Sequence, residues 1–553
     1  MTSLARKPVI LVILDGWGIA PSGSGNALSL ANIRNFNKYW ISFPHTQLSA
    51  SGNAVGLPKN EAGNTETGHL NLGAGKIVYQ DLERINMSIA DGSFFENKVL
   101  RRAIIHAQKN KSNLHLLGLI GAGGVHSNIE HLFALIQLAK RLSFKDIYIH
   151  IFTDGRDSPP TSSQTYVKKL EDFLEKENVG HIASLMGRYW SMDRDRRWDR
   201  TEKAYVALTE GRGIYFQNPF EAINFSYSKG KTDEFIEPSI ITDSNHKPPA
   251  LISDNDSVIF FNFRIDRPRQ LTSAFKVSNF NQDSLALDFD PYLEKYKKTN
   301  IAEKVYRERK PFKRNFFLEN LNFVTMTEYS KSFTNEGVEV AFSPEPVAMP
   351  LGKVIADAGF LQLRIAESEK ERFVTYYFNG LNETKFSGEE RIIVPSPSVT
   401  TYDLKPEMAA FEIADLFLTK TKNNKYSFVL INFANPDMVG HTGNIGSTVK
   451  ACEVVDECLG KIADSIFSQG GYLIITADHG NAEEMINNQT GQVDTEHNSN
   501  PVPFIVLSKN LASKSQSLNQ GILADVAPTV LNLLGLPIPQ TMTGRNLLES
   551  VSV

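Results

Sequence analysis

The sequence predicts an α/β protein, and three observations carry that prediction. Short, fully apolar runs recur along the 553 residues, with helix-patterned stretches between them. Several runs stop abruptly in polar or charged clusters, the place where open parallel sheets build their sites. At 41% hydrophobic and 22% charged, the chain is outside the disordered, collagenous and low-complexity classes, and its length suggests two to four domains.

Taken in order, the first run is Val9 to Leu14. Arg6 and Lys7 precede it and give it a superficial likeness to a signal peptide, but it ends in Asp15-Gly16-Trp17-Gly18. An apolar run that stops at an acid followed by two glycines reads as a buried parallel strand presenting a side chain at its C-terminal end. Leu114 to Ile120, Ile147 to Phe152, Val258 to Phe263, Ser427 to Phe433 and Tyr472 to Ala477 follow as further strands. Their ends carry Asp154-Gly155-Arg156-Asp157, Asn262-Phe263-Arg264, Asn435-Pro436-Asp437 and Asp478-His479-Gly480, so function is expected there. From about Ser278 to Arg314 the chain turns polar and densely charged, with acids interrupting bases, which predicts a solvated helix or surface insertion without chemistry.

Composition narrows the partners. Lys plus Arg is 58 and Asp plus Glu is 62, a net charge of −4 with no footprint for nucleic acid or an anionic membrane, so a small-molecule partner is expected. No apolar run approaches the ~18 residues of a membrane span. Cys452 and Cys458 are too few for a disulfide framework and are read as reduced and structural, which suits the cytoplasm.

Asp437 and His441 stand four residues apart after a buried strand, a spacing that can put a carboxylate and an imidazole on one face of a helical turn. Alone, the pair reads more readily as a cap and a satisfied histidine than as a metal site. With Asp15, Asp478, His479 and His497 it makes three acids and three histidines from four separate segments, and oxygen and nitrogen donors without thiolates suit Mn²⁺, Zn²⁺ or Mg²⁺. A two-metal centre for phosphoryl transfer is the economical reading. The segment Gly63-Asn64-Thr65-Glu66-Thr67-Gly68 offers a hydroxyl nucleophile, or simply a polar helix cap. Between residues 120 and 270, Arg156, Arg188, Arg194, Arg264 and Arg267 lie in strand-end or turn contexts, where guanidinium groups can grip carboxylate and phosphate bidentately. Arg196, Arg197 and Arg200 read as surface ion pairs, and His126, after Gly121-Ala-Gly-Gly-Val125, as a donor to an oxyanion.

Asp15-Gly-Trp-Gly, Gly63-Asn-Thr-Glu-Thr-Gly-His-Leu-Asn71, Gly187-Arg-Tyr-Trp-Ser-Met-Asp-Arg-Asp195, Asn262-Phe-Arg-Ile-Asp-Arg267, Arg364-Ile-Ala-Glu-Ser-Glu-Lys370, Asn435-Pro-Asp-Met-Val-Gly-His441 and Ala477-Asp-His-Gly-Asn481 occur in one order across residues 8 to 548. Together they resemble the cofactor-independent (2,3-bisphosphoglycerate-independent) phosphoglycerate mutases of the alkaline phosphatase superfamily. The resemblance implies one metal on Asp437, His441 and His497, and another on Asp15, Asp478, His479 and the nucleophile position, Thr65. It implies Mn²⁺ foremost, with Mg²⁺ or Co²⁺ as alternatives, and no 2,3-bisphosphoglycerate. It also implies substrate binding by His126, Arg156, Asp157, Arg188, Arg194, Arg264, Arg267 and Lys370. Asp157, beside Arg156, is expected to stay ionised and exchange the proton of the glycerate hydroxyl.

The family's usual nucleophile is serine, and Thr65 departs from it by a methyl that restricts χ1 but leaves the hydroxyl, as in phosphopentomutases and nucleotide pyrophosphatases of the superfamily. Glu496 and Asn498, flanking His497, are a second departure to which the sequence gives no meaning.

The metal and nucleophile motifs lie before about residue 80 and after about 345, with the arginines between, so one domain interrupts another. The resemblance implies an alkaline-phosphatase-like domain of residues 1–80 and 345–553 and a smaller α/β substrate-binding cap of 81–344, hinged near 78–84 and 335–346, closing to exclude water. The expected protein is a monomeric cytoplasmic isomerase acting on phosphoglycerate. The rivals are another phosphomutase or phosphomonoesterase, phosphopentomutase above all because of Thr65, and a catalytically silent metal-binding relative.

Overall fold

The computed structural model describes residues 7–242, 250–280, 310–487, 490–512, 518–549 and 551. Most of the charged stretch 278–314 lies outside the described residues. The chain divides into two compact units, residues 1–80 with 345–553, and residues 81–344. Each is built on a sheet of eight strands.

In the first unit the strands run Glu389–Val394, Gln362–Glu367, Phe428–Phe433, Val9–Leu14, Tyr472–Thr476, Val502–Leu507, His45–Ser49 and Gly521–Ile522 across the sheet. The first five are mutually parallel. Val502–Leu507 is antiparallel to both its neighbours. All six residues of Val9–Leu14 are fully buried, as expected of a parallel strand covered on both faces. Each such aliphatic side chain contributes about 1.5–3 kcal/mol by leaving water, an upper estimate. One covering element is the helix Ile445–Gln469, started by the Asn444 side chain accepting from the Ser447 N–H and ended at Gly470 with φ +67°. Its inward face carries Cys452 and Cys458, free and buried, whose thiol pKa values burial pushes up, so both stay inert.

The second unit orders Val338–Phe342, Asn322–Thr327, Ser257–Phe260, Leu114–Ile120, Ile147–Thr153, His181–Gly187, Ser239–Ile241 and Ile214–Phe216. Only the pairing of His181–Gly187 with Ser239–Ile241 is antiparallel. The strand expected over Val258 to Phe263 stops at Phe260. Two residues on, the Asn262 side-chain oxygen accepts from the Leu119 N–H at 2.9 Å, taking a ladder donor that a backbone carbonyl would have used. Among the described residues no helix is long and apolar enough to cross a membrane.

Candidate active site

In the first unit the ends of four parallel strands converge. Asp15 follows Val9–Leu14 directly, and Gly16, at φ +74°, lets the chain turn where a Cβ would lie 2.8 Å from the Asp437 Cα. Asp437 stands in the short helix Asn435–Gly440 that Pro436 opens, and its Oδ1 lies 3.2 Å from His441 Nε2. His497 Nε2 is 3.1 Å from that same oxygen and 3.1 Å from His441 Nε2. His441 Nδ1 meets the Thr495 carbonyl at 2.7 Å and His497 Nδ1 the Gly63 carbonyl at 3.0 Å. A carbonyl only accepts, so both rings give their Nδ1–H to backbone and aim Nε2, the atom a cation would take, at one carboxylate oxygen. That convergence is the donor pattern of a cation site.

Beside it, Asp478 and His479 follow Tyr472–Thr476. His479 Nε2 lies 2.9 Å from Thr65 Oγ1, 3.5 Å from Asp15 Oδ1 and 3.4 Å from Asp478 Oδ2. Lys370, in the turn after Gln362–Glu367, sets its ammonium 2.7 Å from Asp15 Oδ1, 2.7 Å from Asp437 Oδ2 and 3.3 Å from Thr65 Oγ1. Burial alone would strip that proton, but Asp15, Asp437 and Asp478 outweigh it and hold the Lys370 pKa above its ordinary range. In the same way burial is overcome by Lys370 and His441 at Asp437, whose pKa falls well below normal, and by Asp478 and Asp15 at His479, which is pushed up to about 10.

The ligand atoms of Asp437, His441 and His497 lie within 4.8 Å of one another, as do those of Asp15, Asp437 and His479. Asp478 Oδ2 is fully buried, 3.1 Å from His69 Nδ1 and 3.4 Å from His479 Nε2, and the ligand atoms of Asp15, His69 and Asp478 form a third such group. Three buried carboxylates crowded against imidazole nitrogens, with no thiolate among them, fit a divalent cation.

Thr65 opens the helix Thr65–Ala74. Its cap is Asn64, whose side chain accepts from the Thr67 N–H, so the cap reading belongs to Asn64 and the Thr65 hydroxyl is spared for the acid cluster. Asn498 also gains a meaning: its carbonyl accepts from the Gly63 N–H and its N–H donates to Gly480, tying the His497 segment to both loops. The structure gives Glu496 no comparable role. The buried Glu483, whose role no local sequence pattern signals, accepts from the Gly18 and Asn481 N–H groups at 2.9 Å each, and so clamps the loops after two strands together.

The second unit gathers the arginines, again at strand ends. Asp154 Oδ1 accepts from Arg188 at 2.6 Å and from the Arg156 and Asp157 N–H groups, while Asp157 Oδ2 also accepts from Arg188. The cation beside Asp157 is therefore Arg188, and not Arg156 as the sequence suggests. Arg156 is about half exposed and reaches Glu234 at 3.8 Å. Asp266 accepts from Arg194 at 2.6 Å and Arg264 at 3.1 Å, and Arg267 donates to the Met192 carbonyl at 3.1 Å. Burial first, then Arg188 and Arg194, pulls the Arg267 pKa down to about 10. His126 is buried near Asp157 and Asp266, and burial followed by Arg188 drops its pKa to about 2, leaving a neutral ring. His126 Nδ1 and Arg188 Nε are buried without partners among the described residues. Crowded guanidinium groups and open donors are the chemistry that suits an anion. Asp154 and Asp266 stand inside strand-end clusters visible in the sequence, but their role as anchors depends on contacts the sequence does not display. Arg197 and Arg200 do form ion pairs, but with Asp193, a buried acid rather than a surface one, and Arg196 is itself buried with its N–H bonded to Gln270.

The chain's likeness to known proteins agrees with this geometry. A family model described as the BPG-independent PGAM N-terminus matches residues 85–331. The 2,3-bisphosphoglycerate-independent phosphoglycerate mutase of Clostridium acetobutylicum is 47% identical over 99% of this chain and 100% of its own. That of Clostridium tetani is 48% identical over 98% and 99%. A crystal structure of Leishmania mexicana phosphoglycerate mutase, at low cobalt concentration, superposes with TM-score 0.61 and 30% identity, covering 99% of this chain and 98% of that one. At this identity over nearly its whole length, the chain belongs to the 2,3-bisphosphoglycerate-independent phosphoglycerate mutase family.

Proposed function

We propose that this chain interconverts 3-phosphoglycerate and 2-phosphoglycerate, without 2,3-bisphosphoglycerate, through a phosphate carried on Thr65. The observation that carries the reading is the buried Thr65 hydroxyl, freed from capping by Asn64 and set within 3.3 Å of both the Lys370 ammonium and His479. Asp437, His441 and His497 would hold one divalent cation and Asp15, Asp478, His479 and Thr65 a second, Mn²⁺ foremost with Mg²⁺ or Co²⁺ as alternatives; bound, they acidify the hydroxyl and neutralise phosphoryl oxygens.

In the first half-reaction Thr65 Oγ1 attacks phosphorus in line, the phosphorus bond to the 3-oxygen breaks, and the Thr65 proton ends on the departing hydroxyl. Lys370 offsets the charge on the transferring group. As the first residue of its helix, Thr65 keeps the phosphate at the positive end of the helix dipole. Glycerate re-orients while the guanidinium groups of Arg156, Arg188, Arg194, Arg264 and Arg267, with His126, hold its carboxylate. In the second half Asp157 takes the 2-hydroxyl proton, the 2-oxygen attacks phosphorus, the bond to Thr65 breaks, and the proton returns to Thr65 Oγ1. The division of labour makes residues 1–80 with 345–553 the phosphoryl-transfer unit and 81–344 the substrate-binding unit of a monomeric cytoplasmic enzyme.

The test is a mutase assay on 3-phosphoglycerate coupled to enolase, with Mn²⁺ and no bisphosphoglycerate. Turnover supports the reading. No turnover there, with turnover on a pentose phosphate, contradicts it.

A further inference from the structure

Among the buried polar residues given no role above, two lie against the Thr65 cluster. Asn432 interrupts the otherwise apolar strand Phe428–Phe433 and is 0% exposed, and His69, in the helix Thr65–Ala74, is likewise 0% exposed. Burying an amide and an imidazole is costly unless each is hydrogen-bonded, so their placement needs a reason.

The geometry supplies one. Asn432 Nδ2 lies 2.8 Å from Asp15 Oδ2 and 3.0 Å from His69 Nε2, and His69 Nδ1 lies 3.0 Å from the Thr65 carbonyl and 3.1 Å from Asp478 Oδ2, both of which only accept. Donor and acceptor roles follow from the partners. The Thr65 carbonyl only accepts, so His69 carries its proton on Nδ1, and its Nε2 lone pair takes one amide hydrogen of Asn432. The other amide hydrogen goes to Asp15. Turned over, the amide would set its oxygen against the Asp15 carboxylate, and a proton on His69 Nε2 would meet the Asn432 hydrogen. Asn432 Oδ1 has no partner among the described residues, so the amide serves through its donors. Strand register explains its reach: Asn432 pairs with Ile13, and Asp15 is the next residue on that face.

We infer that Asn432 and His69 are positioning residues which lock the Asp15 carboxylate in register with the first turn of the Thr65 helix. Asp15 is then held from both sides, Oδ1 by Lys370 and Oδ2 by Asn432. The chain Asp15, Asn432, His69, Thr65 carbonyl links one carboxylate of the proposed cation site to the backbone of the proposed nucleophile, and in that sense the inference rests on the function proposed above.

The test uses Asn432→Leu, which keeps the size and suits an apolar strand, and the pair His69→Gln and His69→Leu. For each, kcat, KM for 3-phosphoglycerate, the Mn²⁺ affinity of the substrate-free enzyme by calorimetry, and the melting temperature are measured. Asn432→Leu should fold and melt near the wild type, keep KM within about twofold, and lose about 10- to 100-fold in both kcat and Mn²⁺ affinity. His69→Gln, whose amide oxygen can accept from Asn432, should stay well above His69→Leu in both. Asn432→Leu with kcat and Mn²⁺ affinity within twofold of wild type overturns the inference. Should Asn432→Leu fail to fold, the histidine pair decides, and equal losses in its two members overturn it. Wild-type enzyme measured alongside separates the two claims: an inert wild type removes the proposed function, whereas an active one beside an unaffected Asn432→Leu removes the inference alone.

Discussion

The two units use one construction for opposite ends. In each, an eight-stranded and largely parallel sheet brings its chemistry to the C-terminal ends of the strands. In the first unit those ends carry Asp15, Asp437 and Asp478, with Lys370 as the buried cation among them. In the second they carry Arg188, Arg194, Arg264 and Arg267, with Asp154 and Asp266 as the buried anions that orient them. One cluster is short of positive charge and the other short of negative charge. The fold therefore decides where a site forms, and the sign of the unbalanced charge decides what it can hold; on the function proposed above, that is cations and a phosphoryl group in one unit and a carboxylate-bearing substrate in the other.

The comparison breaks if damage to either cluster has the same consequence. The largest effect is expected at Thr65: Thr65→Ala should lower kcat on the order of 10⁴- to 10⁶-fold with little loss of stability, while Thr65→Ser should remain active, both read in the enolase-coupled assay. Next, exhaustive chelation should lower turnover by on the order of 10³-fold or more, restored by Mn²⁺. Chelation should weaken 3-phosphoglycerate binding, followed by calorimetry, far less than turnover. Equal losses of binding and turnover would erase the distinction between the clusters. Arg264→Lys keeps the charge but loses the planar fork, and should cost about 10- to 100-fold in kcat/KM with the melting temperature nearly unchanged. The smallest effect should come from Arg197→Ala, since Arg197 is 39% exposed, its partner Asp195 is 40% exposed, and the buried Asp193 keeps Arg200 and the Gln270 amide as partners. It should change unfolding free energy by about 0–1 kcal/mol in denaturant titration and leave kcat alone.

How much of this the sequence displays depends on the kind of signal. Asp15, Asp437, Asp478 and His479 were legible because each terminates an apolar run or follows it within a few residues, and a strand end is recognisable without knowing its neighbours. The Asp437 and His441 pair was legible because helical spacing is local. Asn432 and His69 were not, since their meaning rests on the parallel register that sets Asn432 beside Ile13, a relation between segments more than 400 positions apart. Asp154 and Asp266 lie within quoted motifs, yet which arginine each anchors is a tertiary fact. The mistaken pairing of Asp157 with Arg156 has that origin, because adjacency in sequence does not make neighbours at a turn. The early end of the strand at Phe260 reflects the Asn262 side chain taking a ladder donor, which apolar patterning cannot reveal.

The central claim is that Thr65 carries the phosphate, and the most direct test is rapid-quench mass spectrometry of the Mn²⁺-loaded enzyme mixed with 3-phosphoglycerate. Phosphate should appear on the peptide containing Thr65 within the first turnover, localise to that residue by fragmentation, and be absent in Thr65→Ala. Phosphate on Thr67 or Ser88 instead, or full turnover with no phosphopeptide formed, would contradict it.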